Sequence, residues 1–188
     1  MVKRNVKRKL PPMVMPVCMV GSMTDGRPNF CTIAWFTMID DEPPMIGVVM
    51  GKKRRTKDGI IASKAFSVNL PDTSSCVKTD YVGMCSGYDV DKSKVFDRIF
   101  YGVTGSPMID DCPVTVDCTL ERIVEFEGVD LVVGKIEDVY VESSSLTGDD
   151  VDIRKIDPLL YSFPGGPYMS FGAKVADAFK IGKDFNKG

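Results

Sequence analysis

Apolar residues in this chain come in short runs rich in β-branched side chains, set off by proline and glycine. Residues 14–20, 30–39, 45–50 and 66–70 are such runs, and their length and content predict β-strands. Further on, Val114, Val116, Cys118 and Leu120 alternate with polar Thr115, Asp117 and Thr119, which places the apolar side chains on one face of a strand. Another strand begins over 131–136, joined to the first by a turn at Glu127-Gly128-Val129-Asp130. Asp25-Gly26, between two strand-like runs, carries a tight-turn signal and predicts a hairpin over 14–39. Helical signals are confined to 56–63, 75–84 and 173–179. Locally paired strands with small helical inserts predict a mainly β chain, an antiparallel barrel that is closed or partly open, rather than a doubly wound parallel sheet.

With 188 residues, 44% of them hydrophobic, the chain can bury one sizeable core, and its length demands no second domain. Lys and Arg total 24 against 26 Asp and Glu, so there is no global field to attract nucleic acid or an anionic membrane, and any phosphate recognition is local. Histidine is absent, which excludes His-ligated zinc, haem on a proximal histidine, and Ser-His or Cys-His catalysis. The cysteines at 18, 31, 76, 85, 112 and 118 form no C-x-x-C pair and read as buried free thiols. Lys3, Arg4, Lys7, Arg8 and Lys9 precede an apolar stretch in the manner of a signal peptide. Pro11, Pro12 and Pro16 would break the helix such a segment forms, and only Gly21-Ser22 offers a weak cleavage site. No run reaches the roughly 18 to 20 apolar residues that span a bilayer, so a soluble, cytoplasmic protein without a membrane partner is expected.

Four segments hold candidate chemistry. The strand-like 45–51 runs into Lys52-Lys53-Arg54-Arg55-Thr56-Lys57-Asp58 and a helix. A helix N-terminus offers unpaired backbone N–H groups and Arg adds bidentate donors, so the junction suits a phosphate, although a basic turn taken alone is a solvated surface. Residues 29–37 carry the single tryptophan, Trp35, and open with Asn29 just after the turn; by themselves they are an ordinary core strand. Cys85-Ser86-Gly87-Tyr88-Asp89-Val90-Asp91-Lys92 is a small-residue loop ending in a lysine that can reach an anion. Tyr161-Ser162-Phe163-Pro164-Gly165-Gly166-Pro167-Tyr168-Met169 is an aromatic, glycine-rich loop fit to cover a flat ligand or simply to turn.

Taken in order, these segments resemble the flavin-reductase-like FMN-binding split-barrel family, and within it the flavoredoxin branch. The family pattern runs D-G-x-x-N, T-x-x-W, D-P-P before a strand, R-x-T before a helix, F-x-V-N and S-G-x-x-x-D-K. Here these are residues 25–29, 32–35, 42–44 (with Glu42 for the Asp), 54–56, 66–69 and 86–92, and the likeness covers about 10–185. It implies one domain over 1–188, an antiparallel Greek-key split β-barrel with a few short helices, and FMN as cofactor.

By the same resemblance, Asn29, Thr32, Ala34 and Trp35 would line the isoalloxazine, partly through backbone groups, with Met50 and Gly51 passing beside it. Arg54 or Arg55, with Thr56, Ser86 and Lys92, would hold the phosphate, and the loop at Phe163 would cover FMN in a homodimer. Reductases of the family often carry G-D-H at a late strand; the matching stretch here is Gly128-Val129-Asp130-Leu131, with leucine at the histidine position. That weakens direct oxidation of NAD(P)H and leaves FMN binding untouched. Three functions follow: an electron-carrying flavoprotein serving a redox partner protein, a reductase taking a nicotinamide donor, and a non-catalytic small-ligand barrel. Cys31 and Cys85, in two of the cofactor segments, also form a candidate redox pair.

Overall fold

The turn predicted at Asp25-Gly26 closes a hairpin of β2 (Cys18–Thr24) and β3 (Arg27–Ile33), with Thr24 opposite Arg27. Asp25 and Gly26 both take positive φ, 51° and 75°, the backbone that a two-residue hairpin turn needs to match the strand twist. The computed structural model describes residues 1–7 and 10–185. Arg8 and Lys9 of the basic leader lie outside the described residues, and Lys3, Arg4 and Lys7 carry no regular structure.

Seven strands form one antiparallel sheet in the order β3-β2-β6-β9-β10-β5-β4. Its remaining members are β4 (Phe36–Asp41), β5 (Pro44–Gly51), β6 (Ala65–Leu70), β9 (Val114–Glu125) and β10 (Val129–Val141). The two edges, β3 and β4, follow one another in the chain with only Ala34-Trp35 between them. Val49 of β5 donates to the Trp35 carbonyl at 2.8 Å, so backbone pairing passes to the other end of the sheet at that residue. The sheet therefore rolls up with its edges adjacent but not hydrogen-bonded, the arrangement of a split barrel.

Two predicted strands are each divided. The run 14–20 breaks at Val17, whose N–H donates to Leu159 at 3.0 Å. Before it, β1 (Met13–Pro16) joins a small sheet with β13 (Leu160–Phe163) and β14 (Tyr168–Met169). The run 30–39 breaks at Ala34-Trp35 for the reason just given. An apolar run marks burial and does not register a change of pairing partner.

The helices at 56–63 and 75–84 are present as α1 (Arg55–Ser63) and α2 (Cys76–Met84). The short pieces β7 (Ile99–Tyr101) and β8 (Pro107–Ile109) pair with each other, as do β11 (Leu146–Thr147) and β12 (Asp150–Val151), which precede α3 (Ile153–Ile156). The helix expected at 173–179 does not form. Residues 170–177 are exposed and irregular, with Val175 99% and Phe179 98% exposed, and a single 3-10 turn follows at Ile181–Asp184. A seven-residue stretch cannot sustain a helix without a surface to pack on, and among the described residues these positions pack on none.

Alternation along β2 and β3 builds two cores. Cys18, Val20, Cys31 and Ile33 point into the barrel with Met50, Phe66, Val68, Val116, Cys118 and Val132. Met19 and Phe30 point the other way, against Val82 of α2, Phe96, Ile109 and Cys112. Both faces of the hairpin are covered, which is why it reads as a nearly continuous apolar run. The same holds for the start of β9, where Thr115 and Asp117 are buried as fully as Val114, Val116 and Cys118. All six cysteines are free, and burial pushes the Cys18, Cys112 and Cys118 thiols up.

Candidate functional site

α1 begins where β5 ends, and its first turn is fastened to the β2–β3 hairpin from two sides. Ser22 Oγ donates to the Thr56 carbonyl at 2.7 Å, and Asn29 Nδ2 donates to Thr56 Oγ1 at 2.7 Å. Gly59 allows this approach, since a Cβ there would stand 2.5 Å from the Met23 carbonyl oxygen. The N-terminus of α1 is thereby held rigidly beside Asn29, and it has no side-chain cap: Arg54 occupies the N-cap in an extended conformation with no capping hydrogen bond. Its first N–H groups and its dipole remain available to an anion.

The loop after α2 folds over this helix end. Arg55 Nη1 donates to the Gly87 carbonyl at 2.9 Å, its guanidinium lies 5.8 Å from the Tyr88 ring centroid, and Tyr88 Oη donates to Asp58 Oδ2 at 2.5 Å. Gly87 sits so close to the hairpin that a Cβ would collide with the Asn29 amide oxygen. Between these parts lies a cleft of about 140 Å³, lined by Asn29, Cys31, Lys53, Arg54, Arg55, Thr56, Ser86, Gly87 and Lys92 among others.

The cations of the basic junction have different fates. Asp130 on β10, itself 4% exposed, pairs with Lys57 and with Lys52 at 2.5 Å. Hydrogen bonds from those two ammonium groups hold the Asp130 carboxyl below the usual range. Arg55 pairs with Asp25 at 2.8 Å. Arg54 and Lys53 meet no carboxylate among the described residues.

Lys92 is the unusual one, because only 2% of it is exposed and its sole hydrogen-bond partner among the described residues is the Val82 carbonyl, at 2.6 Å. The neighbouring Asp91 is turned to Ser93, Arg27 and Lys94 instead. Burial pulls the Lys92 pKa down, and Arg54 adds to that. A buried ammonium without a counter-ion is costly, and a cleft holding it with Arg54 and an uncapped helix end is complementary to a multiply charged oxyanion.

Asn29, Arg54, Arg55, Thr56, Ser86 and Lys92, all chosen from the sequence, meet in this one cleft. Gly51 lies at its edge beside Arg54. The others lie elsewhere. Thr32 faces α2, where its hydroxyl donates to the Thr79 carbonyl at 2.5 Å, and Met50 is fully buried in the barrel, so either would reach a ligand only through its backbone.

Ala34 and Trp35 border a separate apolar hollow of about 400 Å³, together with Met13, Val14, Met15, Pro16, Phe36, Thr37, Gly47, Val49 and Leu131. Trp35 is 39% exposed, and Phe163 meets it edge-on with centroids 5.6 Å apart. Sequence reasoning missed Gly87 as the close approach that shapes the cleft, and Asp25 as the partner of Arg55; the Asp-Gly turn was the available signal for the second. Cys31 and Cys85 both border the cleft, but burial pushes the Cys31 thiol up despite Thr56, Arg54 and Lys92 acting against it, so it is a packing thiol at neutral pH.

The model of the flavin reductase like domain matches residues 10–166. The chain belongs to this family. Among solved structures, the fold of this family member is similar to flavoredoxin from Methanosarcina acetivorans, with a TM-score of 0.92 and 35% identity over 97% of this chain and 98% of that one. Flavoredoxin of Desulfovibrio vulgaris (Miyazaki F) gives 0.88 and 29% over 97% and 100%. An FMN-binding protein from Thermus thermophilus with bound p-hydroxybenzaldehyde gives 0.79 and 25% over 94% and 99%. The split-barrel expectation is thus met. No helix among the described residues is long and apolar enough to cross a membrane.

Proposed function

We propose that this family member binds FMN and carries electrons between redox partners, in the manner of a flavoredoxin. The observation that carries this reading is the buried, uncompensated Lys92 in a cleft with Arg54 and the bare N-terminus of α1. The ribityl phosphate, a dianion with three strong acceptor oxygens, supplies the charge and the acceptors that the cleft lacks.

From that anchor the isoalloxazine would run along the free edge of β3 toward Ala34 and Trp35. When bound, FMN would supply the redox chemistry, and no side chain here is asked to act as acid or base. The chain's own contribution is positional. Lys92, Arg54, Thr56 and Ser86 hold the phosphate end, backbone groups of the split edge meet the ring's polar rim, and Trp35 with Phe163 shields it from water. Among the described residues the hollow beside Trp35 and Leu131 is lined by apolar and neutral side chains, which suit a ring better than the phosphates of a nicotinamide dinucleotide. This favours the electron carrier over a direct NAD(P)H reductase.

The reading also makes the protein a homodimer. Exposed Met13 and Val14 on β1 and Met38 and Ile39 on edge strand β4 give apolar surface that a second copy would cover. The deciding experiment is a visible spectrum of the purified protein and an FMN titration, then anaerobic addition of NADH and NADPH. A flavin spectrum that neither nucleotide bleaches is the expected result. Rapid bleaching would make it a reductase, and failure to take up FMN would end the reading.

A further inference from the structure

Backbone bonds anchor the small sheet of β1, β13 and β14 to the barrel at one end. Leu159 donates to Pro71 at 3.0 Å and Val17 donates to Leu159 at 3.0 Å, both at the base of the β13–β14 hairpin. The far end of the hairpin, from Phe163 to Tyr168, has a different tie. Tyr168 Oη donates to Asp80 Oδ1 of α2 at 2.8 Å, and among the described residues this is the only hydrogen bond from that end to the rest of the fold outside its own sheet.

The tie lies at one end of a row of rings. Tyr168 and Tyr161 have centroids 5.9 Å apart, Tyr161 and Phe163 are 6.4 Å apart, and Phe163 meets Trp35 at 5.6 Å. Internally the hairpin is stiff. Gly166 donates to the Ser162 carbonyl at 2.8 Å, Ser162 to the Pro167 carbonyl at 3.0 Å, and the Gly165 N–H to Tyr161 Oη at 2.8 Å. A stiff hairpin moves as a body, so a restraint on Tyr168 is a restraint on Phe163.

The other end of the same relationship is also on α2. Thr79, one residue before Asp80, accepts from Thr32 of β3, two positions before Ala34 and three before Trp35. Consecutive residues of α2 therefore hold both the end of β3 and the aromatic hairpin. Phe163 is also paired with Met13 of β1, so the hairpin is held on one side by β1 and on the other by α2.

We infer that Asp80 is a positioning residue: through Tyr168 it latches the β13–β14 hairpin to α2 and thereby fixes Phe163 against Trp35, the wall on which a flavin ring would lie. The last clause rests on the proposed function; the latch itself does not. Tyr168 is half-buried, and burial together with Asp80 raises its pKa, so the phenol keeps its proton and the bond persists through neutral pH.

Trp35 is the single tryptophan, so its emission reports the latch in flavin-free protein. The variants are Tyr168→Phe and Asp80→Asn, with Tyr101→Phe, which removes the hydroxyl of an exposed tyrosine on β7 outside the site, as the control. The expected result is that acrylamide quenching of Trp35 rises about twofold in Tyr168→Phe, less in Asp80→Asn, where an amide oxygen can still accept, and not at all in Tyr101→Phe. In protein saturated with FMN, flavin fluorescence and midpoint potential should then shift in the two latch variants and not in the control.

Unchanged Trp35 quenching in Tyr168→Phe overturns the latch. Altered quenching with an unchanged flavin potential and fluorescence overturns its role at the ring. Wild-type protein that takes up no FMN removes the proposed function, and the quenching of flavin-free protein still decides the latch.

Discussion

Lys92 reaches the Val82 carbonyl at 2.6 Å and, among the described residues, no carboxylate. In the ligand-free chain this buried charge destabilises the fold, and with an anion in the cleft it becomes a strong contact. Lys92→Met should therefore separate stability from binding. FMN affinity should fall roughly 10- to 100-fold, about 1 to 3 kcal/mol for a lost charge-assisted contact, while the flavin-free melting temperature holds or rises. A lowered melting temperature with unchanged affinity would make Lys92 a brace for the end of α2 instead.

The two arginines of the basic junction should behave differently although they are adjacent. Among the described residues Arg54 meets no carboxylate, whereas Arg55 is engaged by Asp25 and the Gly87 carbonyl. Arg54→Ala should weaken FMN binding about tenfold and leave the flavin-free melting temperature alone. Arg55→Ala should lower that temperature by loosening the 85–92 loop, and weaken binding only as a consequence. Calorimetric titration and thermal melts on both variants check this, and identical behaviour of the two would contradict it.

Gly87→Ala tests the shape of the cleft rather than its charge. The new methyl group would strike the Asn29 amide, and Asn29 holds the Thr56 hydroxyl. Either the loop lifts or Asn29 turns, and both disturb the helix end that receives the phosphate. The expected outcome is an affinity loss of at least about tenfold with a modest change in stability, since overpacking at a partly exposed loop relaxes readily. Wild-type affinity would show that the loop is not part of the site.

How far these features could be read from the sequence depends on how local their causes are. The β2–β3 hairpin was legible because Asp25 and Gly26 supply its turn themselves, and α1 because a strand runs into a helix at Thr56. Six of the chosen site residues converge because the fold brings the 29, 54–56 and 86–92 segments together, an order of motifs that the family likeness carried. What stayed hidden depends on distant partners. Asp130 claims Lys52 and Lys57 from 78 and 73 residues away, and nothing in the run of cations says that Arg54 is left over. Tyr168 and Asp80 are 88 residues apart. The C-terminal helix does not form, because a local helical signal says nothing about whether a packing surface exists.

Asp130 gives the pH dependence a definite sign. Its two lysine partners hold its folded-state pKa below the unfolded value of about 3.9, so its contribution to stability is complete above roughly pH 5 and is lost as pH falls through the lower, folded value. Asp130→Asn should be less stable than wild type at neutral pH, because Lys57 is left buried without its carboxylate. On acidification the two proteins should converge, the wild type losing an advantage that the variant never had. Asp91, Glu137 and Asp152 are also held low by their neighbours, so both proteins keep an acid slope, and the difference between them isolates Asp130. Thermal melts of both from pH 7 to pH 3 measure it. Curves that stay parallel down to the lowest pH would mean that the Asp130 pKa is the same in the folded and unfolded protein, and so that Lys52 and Lys57 do not stabilise its carboxylate.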